Sequence, residues 1–290
     1  MASSTINKDN VQAAETIIDS ILEIHGKLLQ QPSLGPGEAT NQLLSRLVRL
    51  CCHIRNAKTV QQVLSNTELL SILPSLQSLC GEAECLLESH WAERIVADID
   101  QLDSFPYYDN YKQLARIEFH ALCAVGPSPR RLAFLGSGPL PLTSLCLVHH
   151  MNRAGNGEES YVLNVDRDAS AISVSHDLFE NLGLKADFLC ADIGSGEVDL
   201  TSFDAVYLAA LVGASQAEKE RLLATVVQRM RPGALLVVRS SWGLRKCLYP
   251  ELDAAAEAVR RWVDVVLVLH PYGEVVNSII VARVKAVAVA

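Results

Sequence analysis

A glycine turn between an apolar run and a predicted helix start is the most informative chemical feature of the sequence. Residues 132–143 read LAFLGSGPLPLT. The turn consists of Gly136, Ser137, Gly138 and Pro139. A strand, a tight glycine turn and a helix start allow the backbone to approach a nucleotide closely. Because Pro141 stands where a dinucleotide-binding loop would have its third glycine, the turn suits a nucleoside without a pyrophosphate better than a dinucleotide.

Two aspartates at the ends of later apolar runs strengthen this interpretation. The run YVLNVD ends in Asp166, and the run FLCAD ends in Asp192. A carboxylate after the second strand can accept hydrogen bonds from both ribose hydroxyls. Asp192 is predicted to bind the adenine amino group, although an isolated aspartate there more often caps a helix or a turn. Together with the glycine turn, the two aspartates indicate a binding site for S-adenosylmethionine.

Three carboxylates lie close together in the segment GEAECLLESHW, residues 81–91. On a helix, Glu84 and Glu88 share one face because they are four residues apart, whereas Glu82 points elsewhere. One interpretation is a solvated acidic face at a helix start, which the helix dipole favours. The other is a group of carboxylates that does chemistry, and the segment alone leaves both open.

The segment FPYYDNY, residues 105–111, concentrates aromatic side chains at a predicted helix break. These rings could simply hold two helices together. Alternatively, their phenol groups would line a pocket for an organic cation and its amino-acid tail.

Composition excludes several classes of protein. The 290 residues include 25 basic and 33 acidic side chains, for a formal net charge of −8, without a long basic cluster. This argues against nucleic acid or an anionic membrane surface as a main partner, and in favour of small-molecule substrates. The amino terminus, MASSTINKDN, does not resemble a secretory signal, and no apolar stretch reaches the ~18 residues of a membrane span. We therefore expect a soluble, cytoplasmic protein.

The eight cysteines form no CxxC pair and no zinc-type spacing with histidine. Most stand among apolar residues, as buried free thiols do in reducing compartments. The cysteines therefore predict no metal site.

The chain divides into two halves by its periodicity. Residues 1–125 have helical spacing and predict a helical bundle with a break or kink at Pro74. A Pro/Gly segment at 125–129 marks a boundary, and residues 126–290 alternate between strand and helix patterns. The strand-like runs lie near 131–135, 161–166, 186–190, 204–209, 234–239, 263–269 and 275–284.

The last two runs are joined only by residues 270–274, which are too few for a crossover, so the final strand must be antiparallel. Seven strands with an antiparallel last hairpin are typical of class I methyltransferases, which are α/β proteins with a Rossmann-like sheet. We expect the ligand at the carboxyl ends of the strands, where the helical half can close over it.

Six segments, in order, resemble nicotianamine synthase. The resemblance extends from residue 79 to residue 283 and covers both halves of the chain. The segments are LCGEAECLLESHWA (79–92), FPYYDNY (105–111), FLGSGPLPLTS (134–144), YLAALVG (207–213), VRSSWGLRKCLYP (238–250) and HPYGEVVNSIIVAR (270–283).

The resemblance implies an enzyme that condenses the aminocarboxypropyl groups of three S-adenosylmethionine molecules. Each transfer would release methylthioadenosine, and one azetidine ring would close. The nucleophile is an α-amine that is mostly protonated at neutral pH, since reference amine pKa values are about 8 or above. It therefore needs a base, and a glutamate under a helical lid would have a raised pKa. This chemistry requires no metal.

Motif positions assign roles by resemblance. Glu82 is the leading base, and Glu84 is a second carboxylate for the cationic chain. Tyr111 is placed beside the acceptor amine. Tyr107 and Tyr108 line the same cavity. Ala209 and Leu211 contact the nucleoside together with the glycine turn. Arg245 and Tyr249 are candidates for holding a substrate carboxylate, since arginine suits bidentate pairing, but Arg245 could equally cap a helix.

Other functions remain open at this point. An ordinary class I small-molecule methyltransferase would release S-adenosylhomocysteine instead of methylthioadenosine. A related transferase would move only one or two aminocarboxypropyl groups. A non-catalytic nucleotide-binding or metal-sensing module would bind without turnover.

Overall fold

The computed structural model describes residues 2–53, 56–154 and 160–286, with side chains described from residue 11 onward. The amino-terminal half is helical, as the periodicity predicts. Its helices are α1 (Ala2–Leu29), α2 (Glu38–His53), α3 (Ala57–Leu64), α4 (Thr67–Ala97) and α5 (Tyr108–Val125), with a 3₁₀ helix at Ile99–Ser104. Helix α4 continues through Pro74, where the sequence predicts a break or kink. Leu69 and Leu76, on either side of the proline, are both fully buried, and this packing stabilises the continuous helix.

The carboxyl-terminal half forms one seven-stranded sheet in the order β3-β2-β1-β4-β5-β7-β6. Strands β1 to β5 are parallel, and β7 runs antiparallel to both β5 and β6. The strands are β1 (Arg131–Leu135), β2 (Tyr161–Asp166), β3 (Asp187–Cys190), β4 (Ala205–Leu208), β5 (Leu235–Ser240), β6 (Val263–Leu269) and β7 (Ser278–Val284). The helices of this half are α6 (Leu142–Ala154), α7 (Ala169–Asn181), α8 (Gln216–Val227) and α9 (Glu257–Arg260). The predicted class I methyltransferase-like α/β fold is confirmed.

The hydrophobic core does not divide where the secondary structure changes. Helix α5 ends at Val125 and β1 begins at Arg131, close to the predicted boundary. However, Phe119 and Leu122 of α5 belong to the same buried cluster as Phe134 of the sheet. Helices α1 to α3 and the first part of α4 form a separate cluster with the segment that follows β5. A fragment of residues 126–290 would therefore leave an apolar face of the sheet exposed to water.

Two contacts bring α4 to the carboxyl ends of the strands. A side chain placed on Gly81 would lie 3.2 Å from the Leu211 methyl, so the loop after β4 rests on α4 at this glycine. One placed on Gly138 would lie 3.0 Å from a carboxylate oxygen of Glu88. The glycine turn and the carboxylate-rich helix thus face each other across a narrow space. Among the described residues, no helix is long and apolar enough to span a membrane.

Candidate active site

The glycine turn has a backbone conformation that requires glycine at two positions. Gly136 and Gly138 have φ values of +80° and +64°, which residues with a side chain rarely adopt. At Gly136 an added Cβ would also lie 2.5 Å from a Val212 methyl. The amides of Gly136 and Ser137 donate to the carbonyl of Val165 at 2.8 and 3.1 Å. The turn is therefore fixed against the end of β2.

The two predicted aspartates already hold backbone amides. Asp166 accepts hydrogen bonds from Gly138 N at 2.8 Å and from Asp168 N at 3.0 Å. A carboxylate has about four lone-pair sites, so Asp166 keeps capacity for a ligand. Asp192 follows β3 and accepts from Gly194 N at 2.7 Å, capping a 3₁₀ turn. Capping is one of the two roles that the sequence allows for Asp192, and adenine binding is the other.

Two carboxylates on α4 each accept a hydrogen bond from a tyrosine. The hydroxyl of Tyr111, from α5, donates to Glu88 Oε1 at 2.6 Å. The hydroxyl of Tyr249, which follows β5, donates to Glu84 Oε2 at 2.6 Å. The two glutamates lie one helical turn apart and are partly buried. Helix α5 and the segment after β5 thus both contact the pair of acids on α4.

Burial and mutual repulsion make these acids weak. Desolvation, and then the neighbouring charge of Glu84, raise the pKa of Glu88 to about 8, although the Tyr111 hydrogen bond opposes the shift. Burial also raises the pKa of Glu84. Burial and the adjacent carboxylates raise the pKa of both tyrosines well above their usual value. The site therefore holds protons at neutral pH that a cationic ligand could displace.

Arg239 supplies a buried positive charge beneath the acid pair. Its guanidinium donates to both carboxylate oxygens of Glu118, at 2.8 and 3.0 Å, and to the Thr143 hydroxyl at 2.7 Å. Its charge lowers the pKa of both Glu84 and Glu88, against the larger effect of burial. No sequence pattern points to Arg239 or Glu118 as part of the site.

Comparison with known proteins identifies the family. The family profile described as "Nicotianamine synthase protein" matches residues 9–289. Nicotianamine synthase 3 of Oryza sativa subsp. indica is 38% identical over 285 residues, which cover 96% of this chain and 81% of the relative. The chain belongs to the nicotianamine synthase family. Nicotianamine synthase 9 of Hordeum vulgare is 35% identical, with 94% of this chain and 80% of the relative covered.

Solved structures of a nicotianamine synthase have the same fold. A structure of MtNAS in complex with MTA and tNA superimposes with a TM-score of 0.76, at 18% identity, over 94% of this chain and 98% of that chain. A Glu→Gln mutant of MtNAS gives a TM-score of 0.78, at 18% identity and the same coverage. At these identities the likeness establishes the fold of this nicotianamine synthase family member and not its individual contacts.

In this nicotianamine synthase family member, Glu82, the leading base by motif position, lies away from the pair formed by Glu84 and Glu88. The side chain of Glu82 is exposed. It precedes Glu84 by two residues, which turns it roughly 200° around the helix axis. Glu88, to which the motif assigns no role, instead contacts Tyr111 and the glycine turn. This position makes Glu88 a stronger candidate for the base than Glu82, whose assignment from the motif stays a prediction.

The predicted aromatic residues are placed differently from one another. Tyr111 is hydrogen-bonded to Glu88. Tyr108, the first residue of α5, is partly buried against the core, with Lys112 Nζ 4.5 Å from its ring centre. Tyr107 is 37% exposed and makes an edge contact with the Phe105 ring. Of the three tyrosines, only Tyr111 has a hydrogen bond to the acid pair among the described residues.

The loop after β4 is fixed from below by a buried lysine. Lys219 Nζ donates to the carbonyls of Ala210 and Val212, each at 2.9 Å, and burial lowers its pKa to about 8. The amide of Ala209 donates to the carbonyl of Leu135 at the end of β1, at 3.1 Å. Leu211, at the tip of the loop, is 38% exposed. Ala209 thus lies beside Gly136 of the glycine turn, whereas Leu211 lies against Gly81 of α4, and both are on a loop held by Lys219.

The two residues predicted to hold a substrate carboxylate have different surroundings. Tyr249 donates its hydroxyl to Glu84, so this donor is already used. Arg245 is buried in the 3₁₀ helix Gly243–Cys247, and its Nη2 donates to the carbonyl of Gly273 at 3.1 Å.

Proposed function

We propose that this enzyme condenses the aminocarboxypropyl groups of three S-adenosylmethionine molecules into nicotianamine, a small molecule that chelates metals. The observation that carries this proposal for the site is the contact of Glu88 with both the glycine turn and Tyr111. A carboxylate with a raised pKa then lies beside the predicted nucleoside position, where an amine must lose a proton. Membership of the nicotianamine synthase family supports the same reaction.

Each transfer is a substitution at the propyl carbon attached to sulfur. The sulfonium offers three electrophilic carbons, and a methyltransferase presents the methyl group. Here the amine nitrogen of one molecule bonds to the propyl carbon of another while the carbon–sulfur bond breaks. Its electron pair stays on sulfur, which leaves as neutral methylthioadenosine. Holding the amine in line with this bond accounts for much of the rate.

The acid pair supplies the proton transfer in this proposal. The attacking α-ammonium must first lose a proton, and Glu88 in its ionised form accepts it. Tyr111 orients Glu88, and Glu84, oriented by Tyr249, stabilises the cationic chain. No metal is required for these steps.

The nucleoside is proposed to bind at the carboxyl ends of β1, β2 and β4. The backbone of the glycine turn approaches the ribose, and Asp166 binds its hydroxyls. The Ser137 hydroxyl is buried without a hydrogen-bond partner among the described residues, as expected for a group that meets a ligand. Asp192 is proposed to contact adenine with the oxygen that does not cap the following turn.

Replacing Asp166 with alanine should weaken S-adenosylmethionine binding by about 1–3 kcal/mol, since unmade hydrogen bonds in a site cost this much. Isothermal titration calorimetry measures the change. Asp168→Ala is the matched control, because Asp168 caps α7 at Ser170 N and is not proposed to touch the ligand. Wild-type affinity in Asp166→Ala would show that the ribose lies elsewhere.

Binding of S-adenosylmethionine at pH 7 should release protons from Glu88. Its pKa of about 8 keeps it mostly protonated in the free protein. The positive charges of the ligand favour the carboxylate and lower this pKa, so up to about one proton per site leaves. Calorimetry in buffers of different ionisation enthalpy measures the release. The proton release should be smaller in Glu88→Gln than in the wild type and should diminish above pH 9. Equal release in both proteins would contradict Glu88 as the source of the protons.

Mass spectrometry of products from the purified protein and S-adenosylmethionine alone tests the whole proposal. We expect nicotianamine and methylthioadenosine. S-Adenosylhomocysteine would indicate a methyltransferase, and a product with fewer aminocarboxypropyl groups would indicate a related transferase.

A further inference from the structure

Arg245 is a buried cation with no ion pair to any residue that the structure describes. The residue is 5% exposed, and within the described part of the chain its side chain makes one hydrogen bond, to the Gly273 carbonyl. Its Nε is buried with no acceptor. A buried charge is costly unless it is paired, and an unused donor adds to this cost. Arg245 therefore has the properties of a group that an anionic ligand completes.

Two further donors without partners flank the same end of the sheet. The hydroxyl of Ser241 and the amide nitrogen of Asn277 are buried, at 2% and 9% residue exposure, and have no hydrogen-bond partner among the described residues. Ser240 and Ser278 form the last pair of β5 and β7. Ser241 and Asn277 are therefore the next residues across this antiparallel ladder.

The alternation of β5 and β7, extended by one residue, predicts that both side chains lie on the face that carries the acid pair. Arg239 and Ile279 are opposite one another on β5 and β7, and Arg239 bonds to Glu118 of α5 on this face. Side chains on a strand return to the same face every second residue. Ser241 and Asn277 continue these two rows beyond Arg239 and Ile279.

Arg245 is tied to this location from both sides. Its bond to Gly273 reaches the β6–β7 connection, which also carries Asn277. Tyr249, four residues later, bonds to Glu84 of the acid pair. The three unused donors thus belong to segments that adjoin the proposed reaction site. Together they offer N–H and O–H groups and one positive charge, which match the lone pairs of a carboxylate.

We propose that Ser241, Arg245 and Asn277 form a binding site for the α-carboxylate of an amino-acid group in the condensing chain. This inference rests on the proposed function, because each aminocarboxypropyl group carries such a carboxylate. Tyr249, whose hydroxyl is used by Glu84, is not part of this site. The site would hold the end of the chain while its amine is presented to Glu88.

Two ligands separate this site from the nucleoside site. Nicotianamine carries the carboxylates and has no nucleoside, whereas methylthioadenosine is a nucleoside with no carboxylate. In Arg245→Met we expect nicotianamine affinity to fall about 10- to 100-fold, the range for hydrogen bonds to a charged group. Methylthioadenosine affinity should stay within about twofold. Arg245→Lys, which keeps the charge, should recover part of the loss.

Matched variants keep the test decisive. Arg283, on β7, also donates hydrogen bonds to main-chain carbonyls, those of Gly233 and Val125. Arg283→Met should therefore change neither affinity beyond about twofold. If Arg245→Met does not fold, Asn277→Ala tests the site with a smaller expected loss. Equal losses for both ligands, or no loss for nicotianamine, would overturn the carboxylate site. Failure of the wild-type protein to make nicotianamine would instead overturn the proposed function.

Discussion

Glu88→Gln should lower the rate of condensation by about 10²- to 10⁴-fold, the usual contribution of a general base. Glutamine keeps the shape of the side chain and can still accept the hydrogen bond of Tyr111, but it cannot take a proton from an ammonium. Steady-state release of methylthioadenosine measures the rate. Binding of S-adenosylmethionine should change much less, because its adenosine is held by the glycine turn and Asp166.

The other two glutamates of α4 are controls in the same segment. Glu82→Gln should have nearly normal turnover because its side chain is exposed and away from the acid pair. Glu84→Gln should have a smaller effect than Glu88→Gln, and removing this negative neighbour should lower the pKa of Glu88. Near-normal turnover in Glu88→Gln together with a large loss in Glu82→Gln would restore the choice made from the motif.

Stability separates catalysis from folding in these variants. The pKa of Glu88 is raised on folding, from 4.5 to about 8, so its contribution to stability is fully present below about pH 4.5 and is lost as pH rises through about 8. Glu88→Gln removes a carboxylate whose ionisation opposes folding. Its melting temperature at pH 9 should equal or exceed that of the wild type, and a marked decrease would indicate a structural role.

The sheet could be predicted closely because its determinants are local. Parallel strands buried on both faces appear as continuous apolar runs, and β1 has the bounds that the sequence predicts. The antiparallel edge strand β6 also has its predicted bounds. The direction of β7 follows from the short predicted connection at residues 270–274, which in the structure extends to residue 277. Each of these features depends on neighbouring residues and not on distant contacts.

Helix phase explains why Glu88, and not Glu82, lies beside Tyr111 and the glycine turn. A motif such as GEAE fixes the order of residues but not the side of the helix that meets the rest of the protein. Ala83 is buried and Glu82 is exposed, while Glu84 and Glu88 share the face toward the site. The four-residue spacing already separates Glu82 from the other two. The spacing alone does not show which face of the helix meets the site. The positions of Gly138 and Tyr111 beside Glu88 show this.

The charge beneath the site is beyond local prediction. Arg239 follows four apolar residues of β5, and its partner Glu118 is 121 positions away in the sequence. No periodicity pairs two such residues. Likewise, the unused donors of Ser241 and Asn277 become apparent only when the ladder brings the ends of β5 and β7 together.

Glu118→Gln should destabilise the protein by about 3–5 kcal/mol, the cost of leaving one member of a buried ion pair uncompensated. Glu118 is fully buried, and Arg239 would lose its carboxylate while remaining charged. Urea denaturation measures the loss. Arg231→Met, which breaks an ion pair with Asp204 nearer the surface, should cost no more than about 1 kcal/mol. A similarly small cost for Glu118→Gln would show that the pair does not hold α5 to the sheet.

The double variant Glu118→Leu/Arg239→Met distinguishes stability from electrostatics. Replacing both charges with apolar side chains should recover most of the lost stability, because no unpaired charge remains buried. The double variant should not restore the wild-type pKa values of Glu84 and Glu88, because the charge of Arg239 lowers both. Without that charge both pKa values rise, and we expect turnover to require a higher pH than in the wild type. A stable double variant with the wild-type pH dependence would mean that Arg239 holds the helix to the sheet and does not tune the acids.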